Sequence, residues 1–198
     1  MAYLETICIK NGRVRNIRYH NDRCNRTRAQ IYGTSDTIDL RKSITEPTHL
    51  QSALVKCRIT YAQQVIKVEY EPYAIKPIRS LQLVQADEVV YNHKAADRQQ
   101  LTDLYHQRGQ ADDIIMVRDG LLTDTYYGNI ALWDGKKWHT PAKPMLLGTR
   151  RQQLLDQGRI VATSIEVADL AQYQQIAVFN AMIPFGSLRL STSAVRSW

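Results

Sequence analysis

Residues 91–129 decide the fold, and they read YNHKAADRQQLTDLYHQRGQADDIIMVRDGLLTDTYYGN. Behind Lys94, apolar residues recur at the three- and four-residue spacing of an amphipathic helix, namely Leu101, Leu104 and Tyr105. Asp97 is placed to cap the start of this helix, and Gly109 is placed to end it. The first half of the stretch therefore predicts a helix directly behind a lysine.

The second half of the stretch predicts a β-hairpin. The apolar run at 114–117 has the character of a buried strand, and Asp119-Gly120 is typical of a two-residue turn. The returning strand carries Thr123 and Asp124, and Asn129 follows after two tyrosines and a glycine. A lysine ahead of the predicted helix and a carboxylate on the second strand of the predicted hairpin are thus thirty residues apart.

The chain as a whole has the composition of an ordinary globular protein. Its 198 residues, 44% of them hydrophobic and 23% charged, suit one domain or two small lobes. The sequence has no apolar run of membrane-spanning length and no signal-peptide pattern, so we expect a cytoplasmic protein without a membrane partner. The three cysteines lie in separate segments, so neither a disulfide framework nor a metal site is predicted.

The net charge of +7 raises the question of a nucleic-acid partner. Arginines cluster between positions 13 and 28 and again at 150–151. No module that combines basic and aromatic residues, such as an RNA-recognition strand or a zinc finger, accompanies them. Most of these arginines are therefore interpreted as solvated surface, and the remainder could bind an anionic cofactor and substrate.

The flanking segments alternate between strand and helix patterns. Before the central stretch we predict strands at 4–9 and 14–19 around an Asn11-Gly12 turn, a helix at 20–32 ended by Gly33, polar turns with a short helix or two at 34–54, and strands at 55–61, 65–70 and 81–85. After it we predict a hairpin at 129–133 and 137–140, a helix at 150–157, and strands at 160–167 and 176–182 around a short helix at 168–173.

The order of these residues resembles the class IV aminotransferases, a family of pyridoxal 5'-phosphate enzymes that includes branched-chain aminotransferase, D-amino-acid transaminase and aminodeoxychorismate lyase. The family has an H-x-x-R helix start, a lysine, a T-E-x-x-x-x-N strand and an L-x-G-x-T-R turn. The corresponding residues here are His20 and Arg23, Lys94, Thr123-Asp124 with Asn129, and Leu146-Leu147-Gly148-Thr149-Arg150-Arg151.

The resemblance implies an α+β fold in two small lobes with the cofactor in the cleft between them. The N-terminal lobe, residues 1–86, would hold an antiparallel sheet with helices. The C-terminal lobe, residues 87–198, would be a β-rich pseudo-barrel with helices, and it would carry the lysine. A homodimer is also implied.

The resemblance also assigns roles to single residues. Lys94 would be the catalytic residue and would bind pyridoxal 5'-phosphate covalently, which requires a partly neutral amine. Asp124 would bond the ring nitrogen, and Arg23 would bind the phosphate, a role that its guanidinium fork suits. The other cofactor-binding candidates are Tyr127, Gly148, Thr149, Arg150, Asn180 and Ala181, and the candidates for contacting substrate are Thr6, Lys76 and Arg79.

The run Asn-Ala-Met-Ile-Pro at 180–184 is similar to aminodeoxychorismate lyase rather than to the transaminases. The resemblance therefore implies a lyase that converts 4-amino-4-deoxychorismate, a small anionic amino-acid-like substrate, into 4-aminobenzoate and pyruvate for folate synthesis. Two alternatives stay open, an amino-acid aminotransferase and a non-catalytic or regulatory homologue.

The chain departs from the family pattern at three points. Asp124 stands in place of glutamate and is one methylene shorter, and Arg150 stands where threonine is usual. The sequence also begins at the Leu-Glu-Thr strand, without the family segment that normally precedes it. The last departure is the reason for keeping the non-catalytic alternative.

Overall fold

The computed structural model of the protein describes residues 1–45 and 54–197. The chain forms two compact units. The first contains residues 1–75 and 93–97, and the second contains residues 76–92 and 98–198. The predicted division between residues 86 and 87 differs from this grouping. The short segment 93–97 groups with the start of the chain because the Leu4 N–H donates to the Lys94 carbonyl at 2.8 Å and the Ala96 N–H donates to the Ala2 carbonyl at 2.9 Å.

The first unit is an antiparallel sheet with one long helix. Its elements are β1 (Tyr3–Lys10), β2 (Arg13–Val14), α1 (Ile17–Tyr32), a 3-10 helix (Leu40–Ser43), β3 (Leu54–Tyr61) and β4 (Val65–Pro72). Among the described residues the strand order is β2-β1-β3-β4. The predicted Asn11-Gly12 turn between β1 and β2 is confirmed, since both residues have the positive φ that this turn requires, 51° and 68°.

Helix α1 begins earlier than the sequence pattern indicated, and the predicted strand at 14–19 is wrong. Only residues 13–14 pair with β1, because Asn16 adopts a left-handed φ of 54° and ends the extended backbone. The helix then starts at Ile17. Its end was predicted correctly: Gly33 has a φ of 67°, and its N–H donates to the Ala29 carbonyl at 3.1 Å.

Alternating side chains of β1 and β3 pack against α1 to form the core of the first unit. The buried members of this core are Tyr3, Ile7, Ile9, Cys24, Leu40, Ile44, Val55, Cys57, Ile59 and Tyr61. Arg28 of α1 is also fully buried, and it donates to both carboxylate oxygens of Asp36 and to the Gln63 carbonyl at 2.9 Å each. This arginine therefore fixes the loop that follows the helix.

The second unit is built on a large mixed sheet. Its strands are β5 (Leu81–Gln85), β6 (Asp113–Arg118), β7 (Leu121–Thr125), β8 (Asn129–Trp133), β9 (Trp138–Pro141), β10 (Val161–Thr163), β11 (Gln175–Phe179), β12 (Leu188–Ser191) and β13 (Val195–Arg196). Within the described residues they are ordered β10-β9-β8-β7-β6-β5-β13, with β11 paired to β8 and to β12.

In the described part of the second unit, two α-helices and two 3-10 helices connect these strands. They are α2 (Gln99–His106), α3 (Thr149–Asp156) and 3-10 helices at Val167–Gln172 and Thr192–Ala194. The Asp119-Gly120 turn between β6 and β7 is confirmed by φ values of 51° and 74°. Asp97 does not cap α2 as predicted, because the helix begins one residue later and Arg98 takes the N-cap position.

The last third of the chain differs most from the predicted pattern. The strand predicted at 160–167 is only Val161–Thr163, and the short helix that follows is a 3-10 helix. Strands β12 and β13 were not predicted. The short helix predicted within 34–54 is present at Leu40–Ser43, whereas residues 46–53 of that segment lie outside the described residues. In the parts of the chain that the structure describes, no helix is long and apolar enough to span a membrane.

Candidate functional site

Lys94 lies on the segment that joins the first sheet. Its carbonyl accepts the Leu4 N–H, and the next residue, Ala95, forms an antiparallel bridge with Tyr3. The lysine is half-buried, and its charge interacts with His20 of α1. Backbone pairing with β1 therefore holds Lys94 close to the start of α1.

A buried cluster around Glu5 lies beside Lys94 in the first unit. Glu5 shares the inward face of β1 with Ile7, and its carboxylate is fully buried. Its oxygens accept from Arg23 Nε at 2.8 Å and Arg23 Nη2 at 2.6 Å, and Oε2 also lies 2.6 Å from His20 Nδ1. His20 and Arg23 are three residues apart and so lie on one face of α1.

Electrostatic interactions in this cluster favour an ionised glutamate. Burial alone would raise the pKa of Glu5, but the charge of Arg23 and the hydrogen bonds from Arg23 and His20 outweigh it and lower the pKa to about 2. Burial lowers the pKa of His20, with smaller contributions from the charges of Arg23 and Lys94. Arg23 is therefore a buried guanidinium whose plane is fixed by a charged partner.

The site prediction named Arg23 and Lys94 but missed Glu5 and His20. The sequence did contain a signal, because Glu5 alternates with Tyr3 and Ile7 on a predicted strand and so had to face the core. A carboxylate at such a position needs a positive or hydrogen-bonding partner. The H-x-x-R spacing on the next helix supplies that partner.

Asp124 is the centre of a second cluster, in the second unit. It lies at the end of β7 and is 4% exposed. Its Oδ1 accepts from Asn129 Nδ2 at 2.7 Å, and its Oδ2 accepts from the Leu146 N–H at 2.9 Å. Burial raises the pKa of Asp124 to about 6, although these hydrogen bonds and the charge of Arg151 oppose the shift. The carboxyl is thus mostly ionised at neutral pH.

Asn129 connects this carboxylate to the loop before α3. Its Nδ2 also donates to the Leu146 carbonyl at 3.0 Å, and its side chain packs against the backbone of Gly148. A Cβ on Gly148 would lie 1.9 Å from Asn129 Oδ1, so this position has room only for glycine. Gly148 has an ordinary φ of −68°, which means that space and not backbone conformation requires the glycine.

Gly148 is also the N-cap of α3, and its carbonyl accepts the Gln152 N–H at 2.9 Å. The N–H groups of the first helical turn have no acceptor within the helix, and the helix dipole adds a partial positive charge there. Thr149 is buried at the first position of this turn. The Gly148-Thr149-Arg150 segment is therefore suited to bind an anion.

The two neighbouring arginines of α3 differ in environment. Arg150, the predicted one, is half-buried and donates to Gln153 Oε1 at 2.6 Å. Arg151 is 4% exposed, donates to the Pro141 carbonyl at 2.8 Å, and interacts electrostatically with Asp124. The prediction missed Arg151, although its spacing of three residues from the buried Leu154 placed both on the inner face of the helix.

The loop at 180–183 is joined to the turn that follows Asp124. Asn180 Nδ2 donates to the Tyr127 carbonyl at 3.0 Å, and Asn180 Oδ1 accepts from the N–H groups of Met182 and Ile183 at 2.7 and 2.8 Å. The Tyr127 ring itself is 58% exposed. Ala181 is half-buried within this loop. Asn180 thus fixes both its own loop and the neighbouring turn.

The candidates for substrate contact have less defined surroundings. Thr6 is half-buried on β1 in the first unit. Lys76 and Arg79 are exposed in the second unit, where the Arg79 N–H donates to Asp112 Oδ2 at 2.7 Å. A role in substrate binding stays a prediction for all three residues. The structure brings Arg23 and Lys94 into one cluster and Asp124, Gly148 and Thr149 into another.

Comparison with known proteins gives consistent matches over nearly the whole chain. The sequence model of the family described as amino-transferase class IV matches residues 2–189. An uncharacterized protein of Haemophilus influenzae is 38% identical over 180 residues, which cover 90% of this chain and 96% of that protein.

Solved structures match over similar lengths. The crystal structure of a protein from Haemophilus somnus 129PT, provisionally named 4-amino-4-deoxychorismate lyase, has a TM-score of 0.86 and 36% identity, and the match covers 92% of this chain and 96% of that one. A hypothetical aminotransferase from Mycobacterium tuberculosis in its PLP-bound form has a TM-score of 0.78 and 18% identity, covering 100% of this chain and 84% of that one. The second likeness is one of fold.

Proposed function

This chain belongs to the class IV aminotransferase family, and from that premise we propose that it is a pyridoxal 5'-phosphate-dependent lyase that converts 4-amino-4-deoxychorismate into 4-aminobenzoate and pyruvate. The observation that carries the choice of lyase is the Asn180 loop. Its lyase-like sequence is hydrogen-bonded to the turn directly behind Asp124. The name given to the H. somnus relative at 36% identity supports the same choice.

The side chains present fit the polar groups of pyridoxal 5'-phosphate. A phosphate dianion suits Arg23, whose guanidinium is oriented by Glu5, and suits the N–H groups of Thr149 and Arg150 at the start of α3. A protonated ring nitrogen suits Asp124, because its carboxylate accepts from Asn129 and from the N–H groups of Leu146 and Met145, and a carboxylate can accept about four hydrogen bonds in total. Tyr127, Gly148, Asn180 and Ala181 would line the same site.

When bound, pyridoxal 5'-phosphate supplies an electron sink for negative charge on the carbon next to the substrate nitrogen. Lys94 would hold the cofactor, and its amine, once released, would take the proton from that carbon as a general base. Asp124 would stay ionised at neutral pH and accept a hydrogen bond from the ring nitrogen. Arg23 and α3 would fix the phosphate, and Thr6, Lys76 or Arg79 would contact the carboxylates of the substrate.

An amino-acid aminotransferase is the second candidate within the same family. It would use the same lysine, arginine and aspartate, so only the 180–184 loop argues against it. A lyase releases pyruvate without a keto acid, whereas a transaminase needs a keto acid for turnover. The third candidate, a non-catalytic or regulatory homologue, would bind the cofactor and do neither. We further propose that the enzyme acts in the cytoplasm, in folate synthesis, as a homodimer.

The first prediction tests the cofactor and the lysine together. Wild-type protein mixed with pyridoxal 5'-phosphate should develop an absorbance band in the violet region, and borohydride should abolish the band and leave a label on Lys94. The Lys94→Ala variant should neither show the band nor take the label, because it has no amine at this position. Lys136→Ala, which removes an exposed lysine of the second unit, is the matched control and should behave as wild type.

The reaction is then tested on the loaded protein. Release of pyruvate from 4-amino-4-deoxychorismate without any keto acid supports the lyase. Turnover that requires a keto acid points to the transaminase, and a labelled but inactive protein points to the non-catalytic homologue. If wild type shows no band at all, or Lys94→Ala keeps it, the proposed function is wrong.

A further inference from the structure

The turn at 125–128 directly follows Asp124 and leads into β8. It closes β7 against β8, since the Thr125 N–H donates to the Gly128 carbonyl at 2.8 Å and Asp124 pairs with Asn129. Gly128 fits tightly, because a Cβ there would lie 2.7 Å from the Phe179 carbonyl oxygen. The turn therefore joins the paired residues Asp124 and Asn129 directly, and we expect a displacement of the turn to move both.

In this turn, both the backbone N–H and the backbone carbonyl of Tyr126 are hydrogen-bonded to side chains. Its N–H donates to Asp113 Oδ1 at 3.3 Å, and its carbonyl accepts from Arg98 Nη2 at 2.6 Å. Its hydroxyl lies 3.0 Å from Thr102 Oγ1, and Thr102 in turn donates to the Arg98 carbonyl. Arg98 therefore contacts Tyr126 both directly and through the first turn of α2.

The guanidinium of Arg98 is also stacked on aromatic rings. Its central carbon lies 4.4 Å from the centre of the Tyr126 ring and 5.4 Å from that of Tyr127. A cation over a tyrosine ring is attracted by the negative face of the ring. Arg98 thus contacts the turn through one hydrogen bond and two cation–π contacts.

The buried Asp113 and the half-buried Arg98 attract each other electrostatically. Among the described residues, Asp113 Oδ2 and Arg98 Nε are both buried without a hydrogen-bond partner. Asp113 uses its other oxygen for the N–H groups of Ile114 and Tyr126. A buried polar atom that lacks a partner reduces stability. Asp113 and Arg98 thus bond the Tyr126 backbone from its N–H and its carbonyl, respectively.

We infer that Arg98 is a positioning residue for the proposed reaction. It is the first residue of the second unit behind the segment 93–97, which carries Lys94. The Arg98 side chain contacts the turn at 125–128, which directly follows Asp124. Arg98 would therefore hold Asp124 in place through the turn that follows it. This inference rests on the proposed function, since it assumes that Asp124 binds the cofactor.

The test compares Arg98→Ala with Arg108→Ala. Arg108, in the turn just behind α2, is a matched control, because its guanidinium lies 4.2 Å from the centre of the Tyr105 ring and Nη1 donates to the Tyr105 carbonyl at 3.1 Å. It makes the same kinds of contact without touching the turn at 125–128. Arg98→Lys keeps the charge and one donor, so it should recover part of the function that Arg98→Ala loses.

Two readouts are needed. Hydrogen exchange of the protein without cofactor should be about tenfold faster or more for the Tyr126 amide in Arg98→Ala, as expected for losing a hydrogen bond to a charged group. The dissociation constant for pyridoxal 5'-phosphate, followed by the violet band, should rise by a similar factor of about ten. Arg108→Ala should change neither value by more than about twofold, a limit set by the small effects typical of surface substitutions.

The outcomes separate this inference from the proposed function. Unchanged exchange at Tyr126 in Arg98→Ala overturns the inference, and so does faster exchange with an unchanged dissociation constant. A wild-type protein that gives no violet band overturns the proposed function, and Tyr126 exchange then still decides whether Arg98 holds the turn. If Arg98→Ala does not fold, the comparison of Arg98→Lys with Arg108→Lys replaces it.

Discussion

Glu5 and Asp124 are both buried carboxylates, yet their pKa values move in opposite directions. Glu5 faces an arginine and a histidine, so its pKa falls from 4.5 to about 2. Asp124 accepts hydrogen bonds from neutral groups, and the charge of Arg151 contributes less, so burial dominates and its pKa rises from 3.8 to about 6. Both carboxylates are ionised at neutral pH. Ionisation of Glu5 stabilises the folded state relative to the unfolded chain, whereas ionisation of Asp124 destabilises it.

These shifts determine how each group contributes to the free energy of unfolding. The contribution of Glu5 is fully present above pH 4.5 and is lost as the pH falls toward about 2. The folded state binds the Asp124 proton more tightly than the unfolded chain does. Its contribution to stability therefore falls as the pH rises from about 4 to about 6.

The prediction at this scale concerns Asp124→Asn. Asparagine cannot ionise, so the variant should gain stability relative to wild type between pH 4 and pH 7, by up to about 3 kcal/mol. Urea unfolding of both cofactor-free proteins across this range measures the difference. Asp103→Asn, at an exposed position of α2, is the control for removing a carboxylate from the surface. Parallel pH profiles for wild type and Asp124→Asn would contradict the assigned burial of charge.

Helix α3 and the loop before it depend on a single close contact between Gly148 and Asn129. Gly148→Ala should reduce the free energy of unfolding by about 1–3 kcal/mol, because the new methyl group displaces the Asn129 side chain from Asp124 and Leu146. Thermal or urea unfolding measures this loss. In the double variant with Asn129→Ala, the side-chain atoms nearest to the new methyl group are removed, so the two effects should not add.

Gly158→Ala is the matched control at the other end of α3. Gly158 has a φ of 63° and no atom within 4 Å of an added Cβ, so only backbone strain opposes the alanine. That strain is about 1 kcal/mol, and it is independent of Asn129. Additive losses in Gly148→Ala and Asn129→Ala would refute the steric explanation.

At the scale of elements, the sequence predicted what depends on short-range chemistry. The turns at Asn11-Gly12 and Asp119-Gly120 and the helix end at Gly33 were correct, because each needs a residue that tolerates positive φ. Asn16 also has positive φ, yet nothing in the local pattern separated it from a strand residue. Pairing of β13 with β5 joins residues 195–196 to 81–82, and no local pattern carries that information.

The residues of the candidate site likewise differ in whether the sequence alone could identify them. Residues in family order, such as Lys94 and Asp124, could be named from the sequence, whereas partners such as Glu5 and Arg151 depend on which face of an element is buried. Arg150 was named for its backbone N–H at the start of the predicted helix, and the inward direction of the Arg151 side chain depends on the exact start of α3. A shift of one residue along a helix rotates the side chain by about 100°.

The molecule as a whole carries a net charge of +7, and two copies in a homodimer would repel each other at long range. We therefore predict that dimer formation strengthens as salt is raised from about 20 to 150 mM, since the screening length falls to about 8 Å at the upper value. Sedimentation velocity at several protein concentrations measures the monomer–dimer constant. A protein that stays monomeric at 22.8 kDa throughout would contradict the homodimer.

Because segment 93–97 groups with residues 1–75, the chain cannot be cut once between the two units without separating this segment from the first unit. A fragment cut after Ile75 would contain β1 but would lack the backbone that accepts the Leu4 N–H and donates to the Ala2 carbonyl. A fragment starting at Lys76 would carry Lys94 away from the sheet that holds it. Gene fusion or shuffling at this boundary would therefore separate a strand edge from its partner. We therefore expect that an exchange of either half needs segment 93–97 to stay with the strand it pairs with.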